Sequence, residues 1–270
     1  MLPAFASPEF LIRHKMGLNL IPLEGFPLVK PGDDLASLVA ETLAKNGFSL
    51  QDGDIVVLAQ KIVSKAEDRL VNLTTVDPSE AARDYAHITG KDPRLVELIL
   101  SECREVVRVR QGLMIVEHRL GFISANAGID HSNVSGPWGE PQDWVLLLPE
   151  DPDASAAQIR AQLQARYACR LGVLIIDSHG RAWRNGTIGM TIGLSGLPGL
   201  VDLRGQADLF DFRLRITQVA ASDELAAGAS LMMGQAREGT PVVLARGFPY
   251  PLREASLSEL IRNKDLDLFR

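Results

Sequence analysis

Gly172-Val173-Leu174-Ile175-Ile176-Asp177-Ser178-His179-Gly180-Arg181 is the stretch on which the fold turns. Its first five residues carry no polar side chain and do not alternate, so they read as a strand buried on both faces. The run is expected to end on Asp177, which places a charge at the carboxyl edge of a sheet, where ligands often sit. Before it, Asp151-Pro152-Asp153 opens a helix expected to reach about Ala168. After it, five glycines between Gly186 and Gly199 form the most unusual region of the chain.

Working outward, Asn19 to Leu23 reads as a short strand and Ile55 to Leu58 as a buried one. Leu35, Leu38, Val39, Thr42 and Leu43 share one helical face behind the Asp33-Asp34 cap, and Asn46-Gly47 stops that helix. Asp77-Pro78-Ser79-Glu80 predicts a helix with Asp77 as its cap, proline at the first position and glutamate at the third, ending at Gly90. Asp92-Pro93 starts another, through Leu100. Val106 to Val109, Leu113 to Val116 and Phe122 to Ala125 predict an antiparallel set. Ser132 to Asp143 reads as a loop and Trp144 to Leu148 as a strand. Leu214 to Val219 and Pro241 to Ala245 read as strands around a helix over Asp223 to Met233. Ser256 with Glu259 predicts a capped C-terminal helix. The sum is an α+β chain with mixed sheets and no clean βαβ repeat.

The chain has 270 residues, 28 basic and 34 acidic, with a formal net charge of −6, 46% hydrophobic and 23% charged side chains. This is a globular composition. The acidic balance argues against a general nucleic-acid binder, which needs a basic surface to displace counterions. Two cysteines, Cys103 and Cys169, make neither a disulfide framework nor a cysteine zinc site. They read as small buried residues and point to a reducing, cytoplasmic compartment. No apolar run approaches the length of a membrane span. Residues 1–15 lack the order of a secretory signal and read as an extension before the fold. No GxxxxGK[ST] loop and no GxGxxG after a strand is present, and Gly193-Leu194-Ser195-Gly196 lacks the spacing of a serine nucleophile elbow.

Four constellations have chemical potential. Asn126-Ala127-Gly128-Ile129-Asp130-His131-Ser132-Asn133 either lets backbone approach a ligand with Asp130 on a hard cation, or is an Asx turn closing a strand. Asp177 to Arg181, with Arg184 beyond, fits a cation and phosphate site, or a surface turn. His179 in that turn fits a general base or ligand by its chemistry and reads more readily as plain surface, His131 beside Asp130 is open in the same way, and His14, His87 and His118 lack supporting neighbours. Gln60 to Glu67 offers Ser64 and Lys65 to a phosphate, or simply faces water. Met233 to Thr240 either wraps a nucleotide or is a helix end with its loop.

Together these segments resemble the coenzyme F420-0:L-glutamate ligase family, also called F420 gamma-glutamyl ligases. The resemblance rests on Pro27 to Leu35, Val63 to Glu67, Asn126 to Asp130 with Ser132-Asn133, and Leu146 to Pro149 followed by Asp151 to Asp153. It continues through Asp177 to Arg181, Asp223 to Ala226, Met233 to Gln235 and Pro241 to Val243. It implies a single ligase domain over about 16–250 of two lobes, with a boundary near 150, a helical tail over 251–270, and no further flavin-binding reductase domain. It also implies an intertwined homodimer.

The implied reaction is GTP-dependent addition of L-glutamate to the lactyl carboxylate of coenzyme F420-0 through an acyl phosphate, with Mg²⁺ or Mn²⁺ and with K⁺ as a further candidate cation. By the same resemblance, Phe26, Pro27, Leu28, Val29, Gln60, Lys61, Lys65 and Asn133 match nucleotide-contacting positions. So do Met233, Gly234, Gln235, Ala236, Arg237, Glu238, Gly239 and Thr240. Asp130 and Asp177 match the ligands of a first divalent metal, and Ser178 and Gln235 those of a second. The archaeal pattern has threonine and glutamate at these last two. Serine keeps the hydroxyl, and glutamine keeps one oxygen but loses the charge. Two other readings stay open. One is an amide ligase of the same family acting on another pterin- or flavin-like carboxylate, and the other is a non-catalytic regulator that binds GTP and metal.

Overall fold

The computed structural model describes residues 17–268, so the expected extension over 1–15 lies outside the described residues. Strand β1 (Asn19–Pro22) leads to helix α1 (Leu35–Lys45), capped by the Asp34 carboxylate, which accepts from the Ala36 and Ser37 amides. Strand β2 (Ile55–Ala59) runs directly into helix α2 (Gln60–Ala66), followed by β3 (Leu70–Asn72). Helices α3 (Glu80–Thr89) and α4 (Pro93–Ser101) precede the antiparallel strands β4 (Cys103–Arg110), β5 (Leu113–His118) and β6 (Ile123–Ala125). Then come β7 (Trp144–Leu146), helix α5 (Pro152–Tyr167), and the long strands β8 (Gly172–Arg181) and β9 (Arg184–Ser195). The chain closes with β10 (Val201–Asp202), β11 (Gln218–Val219), α6 (Ala221–Met233) and β12 (Val242–Arg246).

The main sheet has the order β1-β12-β2-β8-β9, with β2 and β8 parallel and the other neighbours antiparallel. It takes strands from both sides of residue 150. Alternate residues of β2 and β8 feed two cores. Val56, Leu58, Val173 and Ile175 face α1, α2 and α5. Ile55, Val57, Leu174 and Ile176 face α6. This two-sided burial is why neither strand alternates in sequence. A third core lies between α3, α4 and the β4-β5-β6 sheet, built on Val96, Ile99, Met114 and Val116. The structure therefore bears out an α+β fold with mixed sheets.

Several local expectations are corrected. Strand β8 does not stop at Asp177; it continues to Arg181 because β9 pairs along its whole length. The glycine-rich stretch is that partner strand. A Cβ on Gly189 would lie 2.4 Å from the Ala226 carbonyl of α6, and one on Gly193 would lie 2.4 Å from Pro152 of α5. Both helices thus pack directly on glycine backbone. Helix α3 is capped by Ser79, not Asp77: the Ser79 hydroxyl accepts from the Ala82 amide and donates to Glu97 at 2.6 Å. Only Gln218–Val219 of the expected Leu214 to Val219 strand is paired. The tail forms two short 3-10 turns, Leu257–Glu259 and Lys264–Leu266, instead of a capped helix. Glu259 is taken by Arg253 (2.5 Å) and by the Gly199 and Leu200 amides, so it does not reach back to cap. Cys103 and Cys169 are free and only half-buried.

One buried ion cluster ties distant segments together. Glu102, at the end of α4, accepts from Arg69 (2.8 Å) and Arg119 (2.9 Å). Arg119 also donates to the Pro149 and Glu150 carbonyls, and Arg69 to the Leu148 carbonyl. Burial pushes the Glu102 carboxyl up, but contacts with His118, Arg119 and Arg69 outweigh it and hold the group at about 2.

Two predictions follow from packing and charge. Gly193→Ala forces a methyl into Pro152 and should lower stability by about 1–3 kcal/mol, read from a shift in the urea midpoint. Because the folded pKa of Glu102 lies below its ordinary 4.5, its stabilisation is complete above that value and disappears as pH falls towards about 2. The drop corresponds to about 3 kcal/mol. Glu102→Gln should therefore be well below wild type in unfolding free energy at pH 7, with the gap narrowing steadily between pH 4.5 and pH 2.5. A gap independent of pH would contradict this.

Candidate functional site

The parallel pairing of β2 and β8 ends at Ala59 and Ile176. The next residues, Gln60 and Asp177, therefore lie side by side at the end of the β2–β8 pair, Gln60 entering α2 while Asp177 stays in β8, paired with β9. Gln60 is the first residue of α2, so the segment expected at a strand end is in fact a helix, and it carries Lys61, Ser64 and Lys65. The third component is the loop after β6. Asn126, Ala127 and Gly128 take left-handed backbone in succession, with φ of 50°, 53° and 66°. Such conformations cost of order 1–3 kcal/mol at a non-glycine residue and persist only where neighbours enforce them. Here Asn126 accepts from the Met114 amide at 3.1 Å, and the Asp130 backbone exchanges two hydrogen bonds with Leu146. The strained turn delivers Asp130 opposite Asp177.

These elements enclose a cleft of about 220 Å³, lined by Lys61, Ser124, Asp130, Asn133, Asp177, Ser178, His179 and Gln235 among others. It is smaller than the ~300–1,000 Å³ of a typical whole-ligand pocket. It suits the reacting ends of substrates. A larger cavity of about 290 Å³ lies between the start of α1, the end of α2 and α5. Its lining holds Asp33, Asp34 and Glu67 and no lysine or arginine, an unfavourable wall for phosphate.

Lys61 Nζ lies 2.6 Å from Asp130 Oδ2 and also donates to Ser132. Gln60 donates to the same Asp130 oxygen at 2.7 Å and accepts from the Ser64 hydroxyl at 2.8 Å. Lys65 Nζ donates to the Asn133 carbonyl at 2.8 Å, and the Asn133 amide donates to the Ala236 carbonyl at 3.0 Å. On the other face of β8, the Ser178 hydroxyl donates to Gln235 Oε1 and Gln235 Nε2 donates to Ser230 Oγ, each at 2.9 Å. The structure thus joins Gln60, Lys61, Lys65, Asp130, Asn133, Asp177, Ser178, Gln235 and Ala236 in one neighbourhood.

Other expected site residues sit less centrally. Phe26, Pro27, Leu28 and Val29 form the loop between β1 and α1. Phe26 and Val29 pack on the core that contains Ile62 and Val63, while Leu28 is 90% exposed. Met233 is buried against the sheet. Gly234, Arg237, Glu238 and Gly239 belong to the loop after α6, where Glu238 accepts from the Ala236 amide and Thr240 donates to the Met233 carbonyl.

The two acids are shifted in opposite directions. Burial raises the Asp130 carboxyl, the Lys61 ammonium opposes the rise, and the Asp177 charge adds to it. Burial also raises Asp177, but the His179 ring, the Ser178 amide and Lys61 more than offset this and hold it below the usual range. Burial, with the charge of Lys61, depresses the Lys65 ammonium.

His179 corrects the surface reading. It is only 5% exposed, its ring lies 5.1 Å from the Phe122 ring, and its Nε2 is 2.9 Å from Asp177 Oδ2. His118 is likewise buried, stacked on Phe122 and 3.5 Å from Glu102. Ser124, 6% exposed on β6, also lines the cleft and was not singled out from sequence. The signal for both was positional, since Phe122, just before β6, and Ser124 on it are two residues apart, as are Asp177 and His179 on β8.

The donors are oxygens, as hard divalent cations prefer. Among the described residues, no group of three or more His, Cys, Asp and Glu stands ready to hold a metal alone. A cation here would need Ser178, Gln235 or a substrate's phosphates to complete its shell, which is how Mg²⁺ is commonly bound. No helix of the described residues is long and apolar enough to cross a membrane.

A family model described as F420-0:Gamma-glutamyl ligase matches residues 25–247. A relative from Methanothermobacter thermautotrophicus, named Coenzyme F420:L-glutamate ligase, is 47% identical, and the match covers 94% of this chain and all of the relative. Relatives of the same name from Methanopyrus kandleri and Methanocaldococcus jannaschii are 44% and 39% identical, with 94% and 96% of this chain and 99% and 100% of the relatives covered. With the match spanning the cleft and both cores of the main sheet, the chain belongs to the F420-0:Gamma-glutamyl ligase family.

Proposed function

We propose that this protein adds L-glutamate to the lactyl carboxylate of coenzyme F420-0, using GTP to form an acyl phosphate. The observation that carries the reading is the meeting of Asp130 and Asp177 in one cleft with Lys61 and with Asn133, whose carbonyl is held by Lys65. Relatives at up to 47% identity bear the name of such a ligase over their full length.

In the first step, a carboxylate oxygen of the acceptor attacks the γ-phosphorus of GTP and GDP leaves. In the second, the glutamate amine attacks the carbonyl carbon of the acyl phosphate. Phosphate departs, the amine gives up a proton, and an amide remains. Direct attack on a carboxylate would need an oxide leaving group, and phosphorylation removes that obstacle. Lys61 on the wall of the cleft, and Lys65 behind Asn133, would supply positive charge to phosphate oxygens. Asn133 and the loop over Met233 to Thr240, with the 26–29 loop beyond α2, would hold the remainder of the nucleotide. Mg²⁺ or Mn²⁺ held by oxygens of Asp130, Asp177, Ser178 and Gln235, with K⁺ as a further cation, would neutralise the triphosphate charge. The chain's own contribution is positioning and exclusion of bulk water, which is most of what phosphoryl transfer requires.

The homodimer belongs to this proposal. Between β10 and β11 the chain carries Leu209, Phe210 and Ile216, all more than 85% exposed, an apolar set that a second copy would cover.

Purified protein incubated with coenzyme F420-0, L-glutamate, GTP and Mn²⁺ should gain product heavier by one glutamyl unit in mass spectrometry, with GDP formed in equal amount. Unchanged coenzyme with intact GTP would refute the reading. Asp177→Asn should lower turnover at least 100-fold while the melting temperature stays within a few degrees of wild type. Light scattering should report twice the chain mass, and Phe210→Asp should shift it towards one.

A further inference from the structure

We propose that Ser64, buried in α2 and outside the lining of the cleft, is a positioning residue: through the Gln60 amide it holds the Asp130 carboxylate so that one oxygen stays open to a divalent cation. The proposal rests on the ligase reading above and names what keeps its metal-facing acid in place.

Gln60 and Ser64 stand one turn apart on the buried face of α2, 1% and 0% exposed. A serine within a helix can return its hydroxyl to the carbonyl four residues back. Here the hydroxyl donates to the Gln60 side chain instead, at 2.8 Å to Oε1. Gln60 Nε2 then donates to Asp130 Oδ2 at 2.7 Å. The direction of the amide follows, since the reverse orientation would set its oxygen against the carboxylate, acceptor against acceptor. A buried amide keeps such a place only while both of its ends are paired. Among the described residues Ser64 is the sole donor to Oε1, so removing its hydroxyl frees the amide to leave Asp130.

The Asp130 backbone is fixed by its two hydrogen bonds with Leu146, so the freedom left lies in the carboxylate. Gln60 and Lys61 both bond Oδ2, and among the described residues no hydrogen bond reaches Oδ1. The side chain is 25% exposed and lines the cleft. Its two donors differ in permanence. Lys61 is 29% exposed, is shared with Ser132, and in the ligase reading meets phosphate oxygens. An ammonium drawn to phosphate loosens its hold on a carboxylate. The Gln60 amide carries no charge and has almost no surface to offer a phosphate, so it keeps its bond. Ser64 and Gln60 thus set the orientation of Asp130 when the cleft is filled.

Mn²⁺ binding reads this orientation without requiring turnover. Free Mn²⁺ is counted by its electron paramagnetic resonance signal with the full chain at saturating GDP, against a blank of GDP alone. Gln60→Met, which keeps the length of the side chain and removes the amide, should weaken Mn²⁺ binding about tenfold, and Ser64→Ala about fivefold. In the Gln60→Met background, Ser64→Ala should add less than about twofold, because Ser64 acts through the amide. In turnover assays Ser64→Ala should raise the Mn²⁺ concentration for half-maximal rate about fivefold. The rate at saturating Mn²⁺ and the KM for glutamate should stay within about twofold of wild type. Wild-type Mn²⁺ binding in Ser64→Ala, losses that multiply in the double variant, or a wild type that binds no Mn²⁺ beyond the blank overturns the positioning role. Coupled losses in a protein that adds no glutamate to coenzyme F420-0 uphold the positioning role and overturn the reaction assigned to the cleft.

Discussion

The register between β2 and β8 is the constraint on which the site depends. Ile55 faces Gly172 and Ala59 faces Ile176, and the residues between them are entirely buried on both sides of the sheet. A slip of one residue would exchange the faces of every side chain in β8. Asp177 and His179 would then turn towards α6, and Ser178 towards α2 and the Asp130 loop. The shared end of the two strands also fixes where α2 begins. Gln60, its first residue, can hold Asp130 at 2.7 Å and Ser64 at 2.8 Å only from that level. Packing of aliphatic side chains in the sheet centre thus sets the position of the polar groups at its edge.

Electrostatics at that edge is local and runs against the acidic character of the whole chain. Two carboxylates sit within one small cleft, and their environments push them apart in acidity. Asp130 carries Lys61 and Gln60 on one oxygen, so it is crowded by donors and yet raised by burial and by its neighbour. Asp177 is the more firmly ionised of the two. An overall charge of −6 offers a triphosphate no general attraction, so its recognition would fall to Lys61, Lys65 and backbone donors within a few ångströms.

Sequence reading recovers elements with strong local punctuation. Asp151-Pro152 starts α5 and Asp92-Pro93 starts α4 as expected, and the antiparallel set of β4, β5 and β6 appears in place. It falters where a distant partner decides. Strand β9 is rich in glycine, a poor strand former, and holds because α5 and α6 approach its backbone at Gly193 and Gly189. Ser79 displaces Asp77 as a cap because Glu97, from the next helix, fixes its hydroxyl. In the site, Asp130 and Asp177 are legible as acids in unusual positions. The burial of His179 and Ser124 is not, because it is created by β6 packing across β8, and neither strand announces the other.

The two faces of β8 also divide the cleft into unlike walls. Asp177, with Asp130 opposite, makes one wall charged. On the other, Ser178 and Gln235 present a hydroxyl and an amide oxygen, and Gln235 is oriented by its bond to Ser230 so that its oxygen, not its nitrogen, meets Ser178. A carboxylate in place of that amide would add a unit charge, worth about 4 kcal/mol of attraction per unit of cation charge at 4 Å in a partly screened site. Without it, the neutral wall orients an oxygen ligand but supplies little affinity of its own. Under the proposed function, a cation on that side would draw its holding charge from the phosphates of the nucleotide, and occupancy there would be coupled to nucleotide binding.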